Sequence, residues 1–307
     1  MNTNFDSALP AAHAAAAAQN NPIGALYVVA TPIGNLEDLS PRAARILREV
    51  SVVAAEDTRR TATLLRHVGS GAAMLVADEH HEQRAAQKIA AHLAAGQSVA
   101  LVSDAGTPAI SDPGGRVVAA LRTEGWPIVA VPGACAAAAA LSIAGLTHTG
   151  GGWIFAGFLP TKTQERLRVL ADWKARAADD LALVFYEAPH RIDETLAALA
   201  EAFGAEREIL IGRELTKVFE QSVRLPLGEA VAWLESDANH ARGEFVLVVF
   251  PPAERQAVAS GLDEAAEKVV STLVAAGLPT KQVAQIAQQL TGAPKDLLYQ
   301  RALALKD

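Results

Sequence analysis

The segment ALYVVATPIGNLEDLSPRAARILR, residues 25–48, decides the fold. Residues 25–30 form an apolar, partly β-branched run, which indicates a buried strand. Ser40 and Pro41 then supply an N-cap and a first-turn proline, so a helix is predicted to begin there. The alternation continues and predicts strands at 51–55, 73–77, 98–103 and 127–132, with helices near 58–68, 82–95 and 114–125. Strands that are apolar on both faces and separated by helices indicate a parallel sheet covered on both sides.

A second α/β pattern follows the Gly/Thr-rich segment 145–153. It predicts strands at 153–158, 181–187, 208–215 and 243–250, with helices near 162–177, 190–203 and 228–236. Residues 262–307 then read as three short helices separated by Gly/Pro turns. We therefore expect four parts: a disordered Ala-rich tail (1–21), an N-terminal α/β domain (22–145), a C-terminal α/β domain (150–252) and a helix-turn-helix-like module (260–307).

Composition limits the class of protein. The single cysteine, Cys135, excludes an intramolecular disulfide and a cysteine-cluster zinc site, and it fits a reducing compartment. The apolar runs are too short to span a bilayer, and no Lys or Arg precedes the alanines at 11–18, so we expect a cytoplasmic protein without membrane contact. The net charge of −7 disfavours general nucleic-acid binding, although local basic segments exist.

Three Gly/Pro-bearing loops follow strands of the first domain, at 30–40, 103–115 and 131–141. Ligands of such sheets bind beyond the carboxyl ends of the strands. The dinucleotide fingerprint, the phosphate-binding P-loop, the serine nucleophile elbow and metal-ligand spacings are all absent, so no metal is expected. Small residues and free backbone groups would suit a ligand with an amine, ribose hydroxyls and an adenine ring. The alternative is that Asp104 and Asp112 only cap turns.

Six segments together resemble a known family. They read ATPIGNLEDLSPRA, AEDTRRT (55–61), SDAGTPAISDPG, FYEAPHRI (185–192), GRELTK (212–217) and RGEFVLVV (242–249). In this order they resemble the ribosomal RNA small subunit methyltransferases of the tetrapyrrole-methylase-like, class III S-adenosylmethionine-dependent superfamily. The resemblance covers about residues 24–250. It implies two α/β domains of tetrapyrrole-methylase type with a cofactor cleft between them, a C-terminal helical module and a homodimer.

The resemblance also implies a reaction and a cofactor site. The reaction would be S-adenosylmethionine-dependent 2′-O-methylation of a cytidine ribose in the decoding region of 16S ribosomal RNA, within the small ribosomal subunit. The implied cofactor-binding residues are Pro32, Ile33, Asp104, Ala105, Gly106, Thr107, Ala134, Cys135, Tyr186, Gly243, Glu244 and Phe245. The family usually has Pro-Ser-Ala where this chain has Ala134-Cys135-Ala136, so backbone contacts are expected there.

Catalysis and substrate binding leave more alternatives open. A base near the 2′-hydroxyl would help methyl transfer, and the candidates are Glu56, Asp57, Glu187 and Glu214. We select Asp57, Arg59 and Glu187 as catalytic. The predicted substrate-binding residues are Arg191, Arg213, Lys217, Lys281 and Lys295, since arginine in particular binds phosphate bidentately. The alternative is that Glu187, Arg191, Arg213 and Glu214 form internal ion pairs. The pair His80-His81, followed by Glu82, is interpreted as a helix start and left outside the site.

Two other functions compete with this prediction. One is methyl transfer to a small molecule such as a tetrapyrrole, against which the added helices at 262–307 argue. The other is a catalytically idle, ribosome-binding protein, against which the intact SDAGTP segment argues.

Overall fold

The computed structural model describes residues 22–147, 152–176, 181–252 and 262–305. The chain divides into two compact units, Met1–Phe250 and Pro251–Asp307. The predicted disordered tail, 1–21, lies outside the described residues, as does the centre of the Gly/Thr-rich segment at 148–151.

The first sheet is parallel, as predicted. Its five strands follow the order β3-β2-β4-β1-β5. They are β1 (Leu26–Val29), β2 (Val52–Ala55), β3 (Ala73–Val76), β4 (Val99–Val102) and β5 (Ile128–Val131). The helices between them are α1 (Pro41–Glu49), α2 (Thr58–Val68), α3 (Glu82–Ala94) and α4 (Gly115–Thr123), and a 3-10 turn spans Leu36–Asp38. Apolar clusters cover both faces of this sheet, which explains why its strands are apolar throughout.

The prediction of a loop at 131–141 is wrong over most of that segment. A helix, α5 (Ala136–Ala144), begins directly after Cys135, its N-cap residue. The alanine run has high helix propensity, and its small side chains let Ala137, Ala140 and Ala144 pack closely against the second sheet. Because α5 leaves β5 and packs on strands that come later in the chain, it joins the two sheets.

The second sheet is mixed, with the order β6-β7-β10-β8-β9. Its strands are β6 (Trp153–Phe158), β7 (Ala182–Glu187), β8 (Glu208–Arg213), β9 (Gln221–Pro226) and β10 (Phe245–Val249), and only β6 and β7 pair in parallel. The helices are α6 (Thr163–Arg176), α7 (Ile192–Phe203) and α8 (Leu227–Glu235). Strand β9 was not predicted, since QSVRLP contains polar residues and ends in proline. It forms the antiparallel edge, where such residues are tolerated.

The second unit contains α9 (Glu264–Ala275), α10 (Thr280–Thr291) and α11 (Lys295–Ala304). These are the three helices that the sequence predicts. They enclose a core of their own, which includes Val270, Val283, Ala287 and Leu298. Asp263 caps the first helix by accepting a hydrogen bond from the Ala266 N–H at 2.7 Å. Within the described ranges of the chain, no helix has the length and apolarity needed to cross a membrane.

Candidate active site

The loops after β1, β4 and β5 are hydrogen-bonded to one another at the carboxyl edge of the first sheet. Thr31 and Gly106 exchange backbone hydrogen bonds of 2.8 and 3.0 Å. The Thr107 hydroxyl donates to the Ala134 carbonyl at 3.1 Å. Gly106 has a φ of +79°, and a Cβ there would approach Ile33 to 3.4 Å. The three loops therefore form one continuous wall, as their positions after neighbouring parallel strands predict.

The long loop after β4 is strained and firmly anchored. Ala109 and Ser111 have φ values of +67° and +65°, which residues other than glycine rarely adopt. The buried Glu82 carboxylate accepts hydrogen bonds from the Gly114 and Arg116 N–H groups at 2.7 and 3.1 Å. Glu82 lies outside the predicted site, yet it fixes the far end of this loop. Strain of this kind persists where the surrounding structure enforces it, often at functional sites.

The second sheet supplies the opposite wall through Tyr186 at the end of β7. The Tyr186 hydroxyl accepts a hydrogen bond from the Ala137 N–H at 3.1 Å, at the first turn of α5. Its ring lies edge-on to Phe155 and Phe158, with centroids 4.8 and 5.7 Å away. Burial raises the pKa of Tyr186, so this residue stays neutral and links the end of β7 to the start of α5.

A second bridge is built around Glu214, which lies just after β8. Its carboxylate accepts hydrogen bonds from Lys217 Nζ at 2.7 Å and from the Glu244 N–H at 2.9 Å. Burial opposes ionisation, but these donors outweigh it and lower the pKa of Glu214. Lys217 also pairs with Glu244 at 2.9 Å. A Cβ at Gly34 would lie 2.3 Å from Lys217 Cγ, so the first-domain loop contacts this cluster directly.

A cavity of about 330 Å³ lies between these walls, within the usual range for small-molecule sites of about 300–1,000 Å³. It is lined by Ile33, Ala105, Gly106, Thr107, Ile110, Ser111, Asp112, Cys135, Ala136, Phe158, Tyr186, Glu187, Ala188, Pro189, Glu214, Leu215, Lys217, Glu244, Phe245 and Val246. The described residues contain no group of His, Cys, Asp or Glu side chains suited to hold a metal ion.

Most of the predicted cofactor residues line this cavity. Those that do are Ile33, Ala105, Gly106, Thr107, Cys135, Tyr186, Glu244 and Phe245. Pro32, Asp104, Ala134 and Gly243 do not line the cavity, but each is adjacent in the sequence to a residue that does. The Asp104 carboxylate accepts a hydrogen bond from the Asp57 N–H at 3.0 Å and lies 3.3 Å from the Arg60 guanidinium, so it joins the ends of β4 and β2.

The predicted catalytic residues Asp57 and Arg59 do not line the cavity. Asp57 is the N-cap of α2, and its carboxylate accepts a hydrogen bond from the Arg59 N–H at 2.8 Å. The Arg59 side chain, 89% exposed, folds back onto the same carboxylate at 2.7 Å. This hydrogen bond lowers the pKa of Asp57 to about 2, so its carboxylate is a poor proton acceptor. In this geometry Asp57 caps the helix and the Arg59 side chain pairs with that cap.

Glu187 and Arg191 form an internal ion pair, as the alternative expects, whereas Arg213 is bound to backbone carbonyls instead. Glu187 contributes to the cavity wall, yet its side chain has no exposed surface. Its carboxylate accepts hydrogen bonds from Thr195 Oγ1 at 2.6 Å and from Arg191 at 3.3 Å. Arg213 donates to the carbonyls of Arg242 and Phe219 at 2.6 and 3.1 Å. Lys217 belongs to the Glu214 cluster, while Lys281 and Lys295 are exposed on helices of the second unit.

Several residues of the site were not predicted. Asp112 lies in the same loop as Asp104, but it was not among the predicted site residues, and turn capping was the alternative role considered for both. Phe158 ends β6 and Pro189 lies just after β7, and the carboxyl ends of these two strands meet at one edge because the strands are parallel. The signal available in the sequence was the position of both residues at the ends of predicted strands. The pattern predicted both strands, but it did not say which of them are neighbours.

These residues fit S-adenosylmethionine, which carries a cationic amine and a sulfonium. Four carboxylates and one lysine line the cavity, which makes it electronegative. Ala105, Gly106 and Ala136 leave room and backbone polar groups for a flat ring and ribose hydroxyls. The residues that would hold this cofactor are those of the first-sheet loops together with the wall at Tyr186 and Phe245.

The chain belongs to the tetrapyrrole (corrin/porphyrin) methylase family, since the model of that family matches residues 25–231. The family resemblance of the six sequence segments is thereby confirmed, and with it S-adenosylmethionine as the methyl donor. A second family model, the RsmI C-terminal HTH domain, matches residues 260–306.

The chain is similar over nearly its whole length to proteins named Ribosomal RNA small subunit methyltransferase I. It is 47% identical to that of Pseudomonas aeruginosa, over 91% of this chain and 97% of the relative. For that of Escherichia coli O157:H7 the identity is 41%, over 92% of this chain and 96% of the relative. Uroporphyrin-III-C-methyltransferase from Thermus thermophilus superposes with a TM-score of 0.51, covering 74% of this chain and 94% of that one. At 23% identity, this last likeness shows the fold alone.

Proposed function

We propose that this protein transfers the methyl group of S-adenosylmethionine to 16S ribosomal RNA of the small ribosomal subunit, at the 2′-oxygen of a cytidine. One observation carries the proposal. Both the methylase part and the C-terminal helices match relatives of a single kind, whose name specifies small-subunit ribosomal RNA. The electronegative cavity between the two sheets supports the cofactor half of the reaction.

The reaction requires mainly that the acceptor oxygen and the methyl group be correctly positioned. S-adenosylmethionine, when bound, supplies an electrophilic methyl group, so the protein has to align the acceptor oxygen with it. The anchored loop of residues 103–115 and the bridges at Tyr186 and Glu214 support a rigid wall on each side of the cavity. The remaining requirement is removal of the hydroxyl proton, which a carboxylate at the cavity can perform.

Methyl transfer to a tetrapyrrole is the second candidate, since the family whose model matches this chain is that of the tetrapyrrole (corrin/porphyrin) methylases. The three C-terminal helices argue against it, because a small substrate does not require an added module. A catalytically idle ribosome-binding protein is the third candidate, and the anchored, strained loop at the cavity argues against it.

The assembly and location of the protein are also proposals. We infer that it acts as a homodimer in the cytoplasm, where small ribosomal subunits are assembled. Size-exclusion chromatography with light scattering tests the first part, and a mass equal to one chain of 32.1 kDa would contradict it.

Methyl transfer from labelled S-adenosylmethionine to three acceptors tests the function. The acceptors are small ribosomal subunits lacking the modification, protein-free 16S RNA and uroporphyrinogen-type tetrapyrroles. We expect the label to enter the RNA at one cytidine. The RNA chain should resist alkaline cleavage after that nucleotide, because a 2′-O-methyl group blocks attack on the adjacent phosphate. Label in the tetrapyrrole alone would support the second candidate, and label in none of the three would support the idle one.

A further inference from the structure

Asp112 holds a distinct position in the cavity. It lies in the strained part of the loop after β4, directly after Ser111 with its φ of +65°, and it lines the cavity partly buried. A Cβ placed on Gly157 would lie 3.4 Å from Ser111 Oγ, so this part of the loop rests against β6 of the second domain. The carboxylate is thereby held where the two domains meet.

Each of the other carboxylates that line the cavity has a cation as partner. Glu187 is paired with Arg191, while Glu214 and Glu244 share Lys217. Asp112 has no cation partner within the part of the chain that the structure describes. A carboxylate paired with a cation binds a proton weakly, whereas one without such a partner binds it more strongly. Asp112 is therefore the cavity carboxylate best suited to receive a proton.

The surroundings of Asp112 strengthen its affinity for a proton. Burial and the neighbouring Glu56 carboxylate raise the pKa of Asp112 to about 6; the Asp104 carboxylate adds a smaller rise, and the hydrogen bond from the Ser103 hydroxyl opposes it. Tyr186, at the end of β7, interacts with it; Cys135, before α5, lines the same cavity; and Arg60 lies against Asp104. At pH 7 to 8 the group is thus mostly ionised, with a pKa close to the working pH, as an efficient general base requires.

We propose that Asp112 is the proton acceptor of the methyl-transfer reaction, an inference that rests on the function proposed above. The 2′-oxygen donates a lone pair to the methyl carbon, and the bond between that carbon and sulfur breaks with its electron pair remaining on sulfur. The O–H proton passes to the Asp112 carboxylate and then to water. The products are a methyl ether and neutral S-adenosylhomocysteine, and the carboxylate is regenerated.

The test compares wild type with Asp112→Asn, which has the same shape but cannot take the proton. Single-turnover rates with small subunits are measured from pH 5 to 9 at saturating cofactor. For wild type we expect the rate to rise tenfold per pH unit below about pH 6 and then to level off, since the base must be ionised. For Asp112→Asn we expect a loss of about 100-fold or more and no inflection, with cofactor affinity by calorimetry within about threefold of wild type.

Glu56→Gln is the second variant, since it removes the neighbouring charge while leaving Asp112 in place. We expect it to move the inflection of the wild-type profile to lower pH, because the Glu56 carboxylate raises the pKa of Asp112. A merely structural role of Asp112 would not produce this shift. Glu201→Gln, an exposed carboxylate on α7, is the matched control for charge removal and should leave the profile unchanged.

Several results would overturn the inference. They are an inflection that persists in Asp112→Asn, a loss of cofactor affinity with an unchanged saturating rate, or a loss of turnover in Glu56→Gln alone. If wild type binds cofactor but methylates no ribosomal RNA, the proposed function itself fails, and this inference fails with it. A wild-type enzyme that is active on RNA beside an equally active Asp112→Asn would reject the inference and leave the function standing.

Discussion

Single residues act in this site mostly through backbone contacts, and Asp104 is the clearest case. Its carboxylate links the Asp57 N–H and the Arg60 guanidinium, so it holds the start of the 103–115 loop. We expect Asp104→Ala to weaken S-adenosylmethionine binding about 10–100-fold, through displacement of the loop and the loss of about 1.5–3 kcal/mol. Calorimetry on the folded variant is the measurement.

Asp104→Asn is the control for this prediction. The amide oxygen can still accept the hydrogen bond from the Asp57 N–H, so we expect an affinity close to wild type. Equal losses in both variants would show that cofactor binding requires the carboxylate charge, which also pairs with Arg60, and not only the hydrogen bond from the Asp57 N–H. An unchanged affinity in Asp104→Ala would remove the residue from the site altogether.

The sequence showed which loops meet at the site better than it showed what each side chain does there. Asp104, Gly106 and Thr107 follow a strand, and strand ends meet at one edge, so their position was predictable. Asp57 also follows a strand, but its side chain turns to cap its own helix, a local contact that competes with function. Asp112 became distinguishable only once the cations beside Glu187 and Glu214 were located. Such pairings depend on distant segments.

At the scale of elements, substitutions at two glycines distinguish the effect of backbone strain from the effect of contact with the site. Gly243 and Gly204 have φ values of +94° and +95°. A Cβ at Gly243 would lie 2.4 Å from Glu214 Cγ, whereas no described atom lies within 4 Å of one at Gly204. We expect either alanine to lower the free energy of unfolding by about 1–3 kcal/mol. Only Gly243→Ala should also weaken cofactor binding, about tenfold, because it displaces the Glu214 side chain. Equal cofactor affinities in the two variants would contradict this.

The anchor of the long loop gives another prediction at this scale. Without the Glu82 carboxylate, the Gly114 and Arg116 N–H groups lack an acceptor. We expect Glu82→Ala to lower the free energy of unfolding by about 1–3 kcal/mol and to weaken cofactor binding, since the loop loosens. The exposed Glu79→Ala is the matched control and should change neither quantity. Chemical denaturation and calorimetry measure both, and a stable Glu82→Ala with normal affinity would be the contrary result.

At the scale of the whole molecule, periodicity predicted the parallel sheet and the three C-terminal helices. It missed β9 and the helix at Ala136–Ala144, and for different reasons. The first is an edge strand, whose polar residues carry no alternating pattern strong enough to be recognised. The second follows a strand as a ligand-binding loop would, and only packing against the second sheet shows that the alanines form a buried helical face. Both depend on contacts between distant segments.

The C-terminal helices give the last prediction, which concerns their role in binding RNA. Residues 262–305 enclose their own core, while Lys281 and Lys295 are exposed and Tyr299 is 38% exposed. If this module docks the substrate, truncation after Pro252 should preserve folding and S-adenosylmethionine affinity but sharply reduce methylation of small subunits. The salt dependence of RNA binding should also fall, by about 0.7–0.9 in the logarithmic slope for each phosphate that the truncated protein no longer binds. In the full chain, Tyr299→Ala should weaken RNA binding by about 1–3 kcal/mol if the ring stacks on a base, whereas Tyr299→Phe should not. A truncated protein that methylates subunits at full efficiency would reject the docking role, and one that unfolds would show that the module stabilises the methylase part instead.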